Sequence, residues 1–156
     1  MIAGTGIRRA ELQRRARHTG IAEHVHFLGF VPDQALPPLY GAADVFCMPA
    51  SAELQSLVTL EAMAAGRPIV AADALALPHL VRHGHNGLRH PPADVPALAA
   101  ALVTVLSQPA LARTMGAASR ALATVHDITG SIHAFERLYH DLITAAGPAQ
   151  TGCGAR

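Results

Sequence analysis

Residues 49–66 read PASAELQSLVTLEAMAAG, a polar loop running into a short apolar segment that stops at Gly66. Ser56 stands where a helix N-cap belongs, and Leu57, Val58, Leu60, Met63 and Ala64 put apolar groups on nearly every side of the helix that follows. Such a helix is expected to be buried. It nevertheless carries Glu61, eight positions after Glu53 in the loop. A buried carboxylate is costly unless it is paired, hydrogen-bonded or turned into a cleft. Glu61 is therefore expected either to be held by protein donors, with Arg67 a nearby cation, or to face a polar ligand. Glu53 reads either as an exposed loop acid or as its partner at the same ligand.

The flanks of this stretch set the fold class. Residues 44–49 (DVFCMP) and 68–72 (PIVAA) are continuous apolar runs closed by turn residues, as strands buried on both faces should be. Strand, helix, strand in that order is the rhythm of an α/β fold, a Rossmann-like parallel sheet with flanking helices. Upstream, Ile2-Ala3 reads as the end of a strand, Gly4-Thr5-Gly6 as a turn, and 8–18 as a helix with Leu12 and Ala16 inward. Residues 24–29 (HVHFLG) alternate as a short strand does, and 33–40 reads as a helix broken by Pro37-Pro38. Downstream, 77–83 reads as a short helix, 84–87 as a turn, and Leu88 opens a final strand. Asp94 precedes a helix over 95–107 with Leu98, Ala101, Leu102 and Val105 on one face. Helices over about 110–125 and 131–145 follow. Residues 147–156 read as a disordered tail, so 1–146 is expected to be one domain.

Composition narrows the function classes. The 156 residues are 51% hydrophobic and 15% charged, which suits a globular core. No apolar run is long enough to cross a bilayer, and the N-terminal residues lack the apolar core of a signal peptide, so a cytoplasmic location is expected. Cys47 in an apolar run and Cys153 in the tail are expected to be free thiols. All twelve basic residues other than histidine are arginine. Five of them lie between Arg8 and Arg17, which reads as a solvated helix face or as a nucleic-acid or membrane patch. The solvated face is favoured, and no nucleic-acid partner is expected. His79 and His83 have the i, i+4 spacing of a shared metal ion, but no third ligand stands at a recognisable spacing, so no metal is expected. Gly4 and Gly6 lack the third glycine of a dinucleotide fingerprint.

Taken in order, AGTGIRR after a strand, VHFLGFVPDQALPPLYGAADVFCMPA, the Glu53–Glu61 pair leading into EAMAAGRPIVAAD, then HGHNGL and PPAD resemble the C-terminal, donor-binding domain of retaining GT-B glycosyltransferases of family four. The resemblance covers residues 3 to about 145. It implies that Glu61 takes the ribose hydroxyls of a nucleotide-sugar donor and that Glu53, the catalytic candidate, contacts the sugar. A carboxylate can accept from both hydroxyls of a cis-diol. It further implies that the N–H groups of Gln55, Ser56, Leu57 and Val58 face the diphosphate, that Phe30 and Val31 line the base pocket, and that Gly4 and Gly6 belong to the donor site. The donor would be a UDP-sugar or GDP-sugar, with no cofactor, and the ligand would lie at the carboxyl ends of the strands.

Three positions depart from the common pattern. Gln55-Ser56 stands where Phe-Gly is frequent, Leu75-Ala76 where Gly-Gly is frequent, and His79 where Glu is frequent. The ELQS form resembles a subgroup that includes hexosyltransferases acting on diacylglycerol and other lipid acceptors. That implies a lipid or glycan acceptor and peripheral association with the inner membrane face. The resemblance also implies an N-terminal acceptor domain and a first strand and helix carrying an Arg and a Lys, all ahead of Ala3. The chain is thus expected to be N-terminally truncated, to leave a gap beside the 45–48 strand, and not to turn over alone, since those cations stabilise the departing diphosphate. The competing expectations are a degenerate remnant that binds a nucleotide weakly or not at all, and, with less support, a nucleotide-sugar epimerase of related shape.

Overall fold

The computed structural model describes residues 1–146, so the expected tail over 147–156, with Cys153, lies outside the described residues. Its contacts cluster into two compact units, Met1–Asp44 and the chain from Val45 onward. In the first unit, β1 (Ile2–Ala3) pairs in parallel with β2 (Phe27–Gly29), and helix α1 (Arg9–His18) connects them. Arg9 Nη2 donates to the Phe27 carbonyl at 3.1 Å and ties the helix to β2. Helix α2 (Leu36–Gly41) closes the unit, with a short 3₁₀ turn at Asp33–Ala35 before it. Pro37 and Pro38 do not break this helix. They sit in its first turn, where a missing N–H costs nothing.

The second unit holds a parallel sheet of order β3 (Phe46–Met48), β4 (Ile69–Ala72), β5 (Gly87–His90). Phe46 faces Ile69, and Ile69 faces Gly87. All four residues of β4 are fully buried, as its unbroken apolar run requires. The run at 45–48 gives a different result, because β3 is an edge strand of this sheet and its three residues are half-buried. Helices α3 (Leu57–Ala64), α4 (Leu77–Leu80), α5 (Val95–Ser107), α6 (Pro109–Ala123) and α7 (Ile128–Ala146) complete the described chain. Val70 of β4 packs with Ala101, Val105 and Met115 of α5 and α6, and Leu98 and Leu102 extend that cluster. Asp94 caps α5 as its position suggests, its Oδ1 accepting from the Ala97 N–H at 2.9 Å.

One sequence expectation shortens. Helix α4 ends at Leu80 rather than 83, because the buried Asn86 side chain takes over the chain there. Its Oδ1 accepts from the Arg82 N–H at 2.7 Å and its Nδ2 donates to the Leu80 carbonyl at 3.1 Å. The Asn86 carbonyl then receives the Ser119 hydroxyl and the Ile69 N–H, so one residue joins the turn, α6 and β4.

Small residues let α6 close on the end of α3. Gly66 ends α3 at φ +71, where a side chain would be strained, and a Cβ on Gly116 of α6 would run into the Gly66 carbonyl. The backbones touch there. Gly116→Ala should therefore lower stability by about 1–3 kcal/mol in urea melts, the usual cost of overpacking. Gly41→Ala, with nothing near the added Cβ, is the control and should change little.

Candidate functional site

The helix opened by the PASAELQS loop is one-sided. Thr59, Ala62 and Met63 of α3 are buried, whereas Leu57, Val58, Glu61 and Ala64 are exposed. This corrects the expectation of a helix buried all round. The spacing 57, 58, 61, 64 is one helical face, and the side turned to the core carries Thr59, Ala62 and Met63. Glu61 is accordingly not a buried carboxylate. It stands on an open face beside Leu57, which is 64% exposed, and Val58.

Ser56 holds the N-cap position but does not cap through its side chain. Its backbone is left-handed, φ 51 and ψ 60, and its Oγ lies 2.7 Å from the Thr59 Oγ1, both residues being buried. The Ser56 carbonyl accepts from the Thr59 and Leu60 N–H groups. The Leu57 and Val58 N–H groups, ahead of the first helical bond, point out of the helix end. A left-handed non-glycine residue costs roughly 1–2 kcal/mol. Here a hydroxyl pair inside the fold offsets that cost. Thr59 was not singled out by sequence reasoning; a hydroxyl residue three positions after the Ser56 cap is the signal that could have found it.

Residues 52–58 line an open cavity of about 800 Å³. Glu53, Gln55, Ser56, Leu57 and Val58 are therefore brought together, with Glu61 one turn along the same exposed face as Leu57. Glu53 is half-buried, and its carbonyl accepts from the Ala76 N–H at 3.2 Å, which joins the 49–56 loop to the segment after β4. In that segment Leu75 is also left-handed, at φ 49, and is 56% exposed. Asp73, just past β4, pairs with Arg89 of β5 at 3.0 Å.

The remaining candidates lie in the first unit. Gly4, Gly6, Phe30 and Val31 follow the carboxyl ends of β1 and β2, and the Gly4 N–H donates to the Gly29 carbonyl at 2.7 Å. Phe30 is exposed and Val31 half-buried. At the start of α1, Arg8 in the N-cap position and Glu11 form an exposed pair at 2.6 Å that holds the Glu11 carboxyl below its ordinary range and raises the guanidinium. Such a pair contributes little to stability. Cys47, in the apolar run expected to be buried on both faces, is a free thiol half-buried on β3, and burial pushes that thiol up. The His79–His83 spacing is not helical, because α4 ends between them, and His83 Nδ1 accepts from the Arg89 N–H. Among the described residues no three His, Cys, Asp or Glu side chains converge as a metal set would.

The family described as "Glycosyl transferases group 1" matches residues 1–108. The chain belongs to this glycosyltransferase family. Its α/β fold is that of the C-terminal half of the GT-B enzymes. Over 96% of its length the chain is 34% identical to the phosphatidyl-myo-inositol mannosyltransferase of Mycobacterium leprae, and it covers 40% of that protein. It is 38% identical over 76% of its length to the GDP-mannose-dependent alpha-(1-6)-phosphatidylinositol monomannoside mannosyltransferase of Mycolicibacterium smegmatis, covering 33% of that protein. Among solved structures, Anabaena HepE in complex with UDP-glucose superposes with a TM-score of 0.78 at 29% identity, over 88% of this chain and 40% of the other. The glycosyltransferase chain thus spans 33–40% of the length of these relatives.

The Ser56–Thr59 pair in this glycosyltransferase chain yields a stability test. Thr59→Val leaves the Ser56 hydroxyl buried without its partner and should cost about 1–3 kcal/mol in thermal or urea unfolding. In a Ser56→Gly background the same change should cost less than half as much. Equal costs in both backgrounds would mean that the two hydroxyls do not act as a pair.

Proposed function

We infer that this chain is the nucleotide-sugar-binding portion of a glycosyltransferase that moves a hexose from a UDP-sugar or GDP-sugar to an acceptor hydroxyl with retention. The observation that carries the reading is the open face of α3, where Glu61, Leu57 and Val58 stand beside the cavity walled by residues 52–58. Glu61 accepts hydrogen bonds from the ribose diol, and the Leu57 and Val58 N–H groups meet the diphosphate. Glu53, on the loop tied to Ala76, accepts from hydroxyls of the sugar. When the bond from the sugar to the diphosphate breaks, negative charge grows on the diphosphate, and donors aimed at that position lower the barrier.

A lipid acceptor is favoured by the names of two relatives, both of which act on phosphatidylinositol compounds. Association with a membrane surface would then be peripheral, since no single described helix is long and apolar enough to cross a bilayer. The chain spans 40% or less of these relatives and contains no lysine, and we infer that acceptor binding and full stabilisation of the leaving group need residues outside it.

Calorimetric titration with UDP, GDP and their hexose conjugates tests this reading. One nucleotide series should bind, and Glu61→Ala should weaken it by about tenfold or more, the loss expected when a charged acceptor of two hydroxyls is removed. Absence of binding to both proteins would remove the donor-site assignment and leave a remnant without nucleotide affinity.

A further inference from the structure

Three non-glycine residues have left-handed backbones among the described residues: Ser56, Leu75 and Ala93. Their circumstances differ. Ser56 is buried and its hydroxyl pairs with Thr59, so its conformation is supported from within the fold. Ala93 carries only a methyl group and lies in a turn closed by the Asp94 N–H on the Pro91 carbonyl. Leu75 is the outlier. A bulky side chain is the least suited to this conformation, and at 56% exposure it has no full burial to compensate.

Strain of this kind persists where surroundings or function demand it. The surroundings of Leu75 are informative. The Asp73–Arg89 ion pair fixes the chain two residues before it, and the bond from the Ala76 N–H to the Glu53 carbonyl fixes the residue after it against the loop that carries Glu53. An aliphatic side chain is thus held, partly in solvent, on a segment bonded to the loop proposed to meet the donor's sugar. Glycine there would be unstrained and would leave that space open.

We propose that Leu75 is a specificity-determining residue, which limits the bulk of the sugar on the nucleotide donor and offers an apolar contact to the C–H face of an unsubstituted hexose. The proposal rests on the donor-site reading above. It assigns Leu75 to the sugar and not to the nucleotide, so the two readings are separable. Removing the side chain should relax discrimination between a hexose and its bulkier 2-acetamido counterpart without affecting the nucleoside diphosphate.

The experiment is titration of wild type, Leu75→Gly and Leu75→Asn with UDP, UDP-glucose and UDP-N-acetylglucosamine, with GDP and GDP-mannose run in parallel. Wild type should favour the hexose over the acetamido sugar, and Leu75→Gly should narrow that ratio by about tenfold, the scale of a pocket changed by a few carbon atoms. Affinity for the bare nucleotide should stay within about twofold. Leu75→Asn, which tolerates the left-handed backbone and keeps similar bulk, should retain the discrimination. Melting temperature should not fall in Leu75→Gly, since glycine relieves the strain. An unchanged sugar ratio in Leu75→Gly, or an equal loss for nucleotide and nucleotide sugar, would overturn the proposal. Failure of wild type to bind any bare nucleotide would overturn the donor-site reading itself, and this proposal with it.

Discussion

The contact on which the arrangement of this chain depends is the meeting of two backbones at Gly66 and Gly116. It brings α6 onto the end of α3 with no side chain between, and the core side of α3 carries Thr59, Ala62 and Met63. Leu57, Val58 and Glu61 are consequently turned outward, although two of the three are apolar. The other supports are of the same kind: β4 is wholly buried, and Asn86 ties the turn before β5 to both α6 and β4.

From that constraint the candidate site follows. A helix pinned at its C-terminal end presents its first turn and one face to a groove, and the 52–58 segment forms the wall. The left-handed turn at Ser56 aims the first free N–H groups, and its hydroxyl is spent on Thr59 rather than on the helix end. The helix is only eight residues long, so local N–H groups matter more here than a summed dipole. The acidic residues then have different settings: Glu61 on the open face, and Glu53 half-buried on a loop fastened to the segment after β4.

Much of this was legible in the sequence, for physical reasons. The strand at 69–72 announces itself because a strand covered on both faces must be apolar throughout, and Asp94 marks the start of α5 because a cap has a narrow choice of residues. The order of motifs gave the family, and with it the GT-B fold. The side of α3 that faces the core was not legible, since Leu57 and Val58 look like core residues and only the close approach of α6 decides otherwise. The edge position of β3 was not legible in its apolar run, which does not report how many neighbours the strand has; only the missing first strand implied by the family resemblance pointed to a gap there. Likewise the early end of α4 depends on Asn86, six residues beyond it, and Pro37-Pro38 resembled a break until the preceding turn fixed where α2 begins.

The central claim is that the open end of α3 receives a nucleoside diphosphate, and amide NMR on the isotope-labelled full chain tests it most directly. On addition of UDP or GDP, the Leu57 and Val58 amide resonances should show large shifts and slowed exchange with solvent, while the amides of buried β4 stay in place. Shifts confined to other regions, or none at saturating nucleotide, would contradict the account.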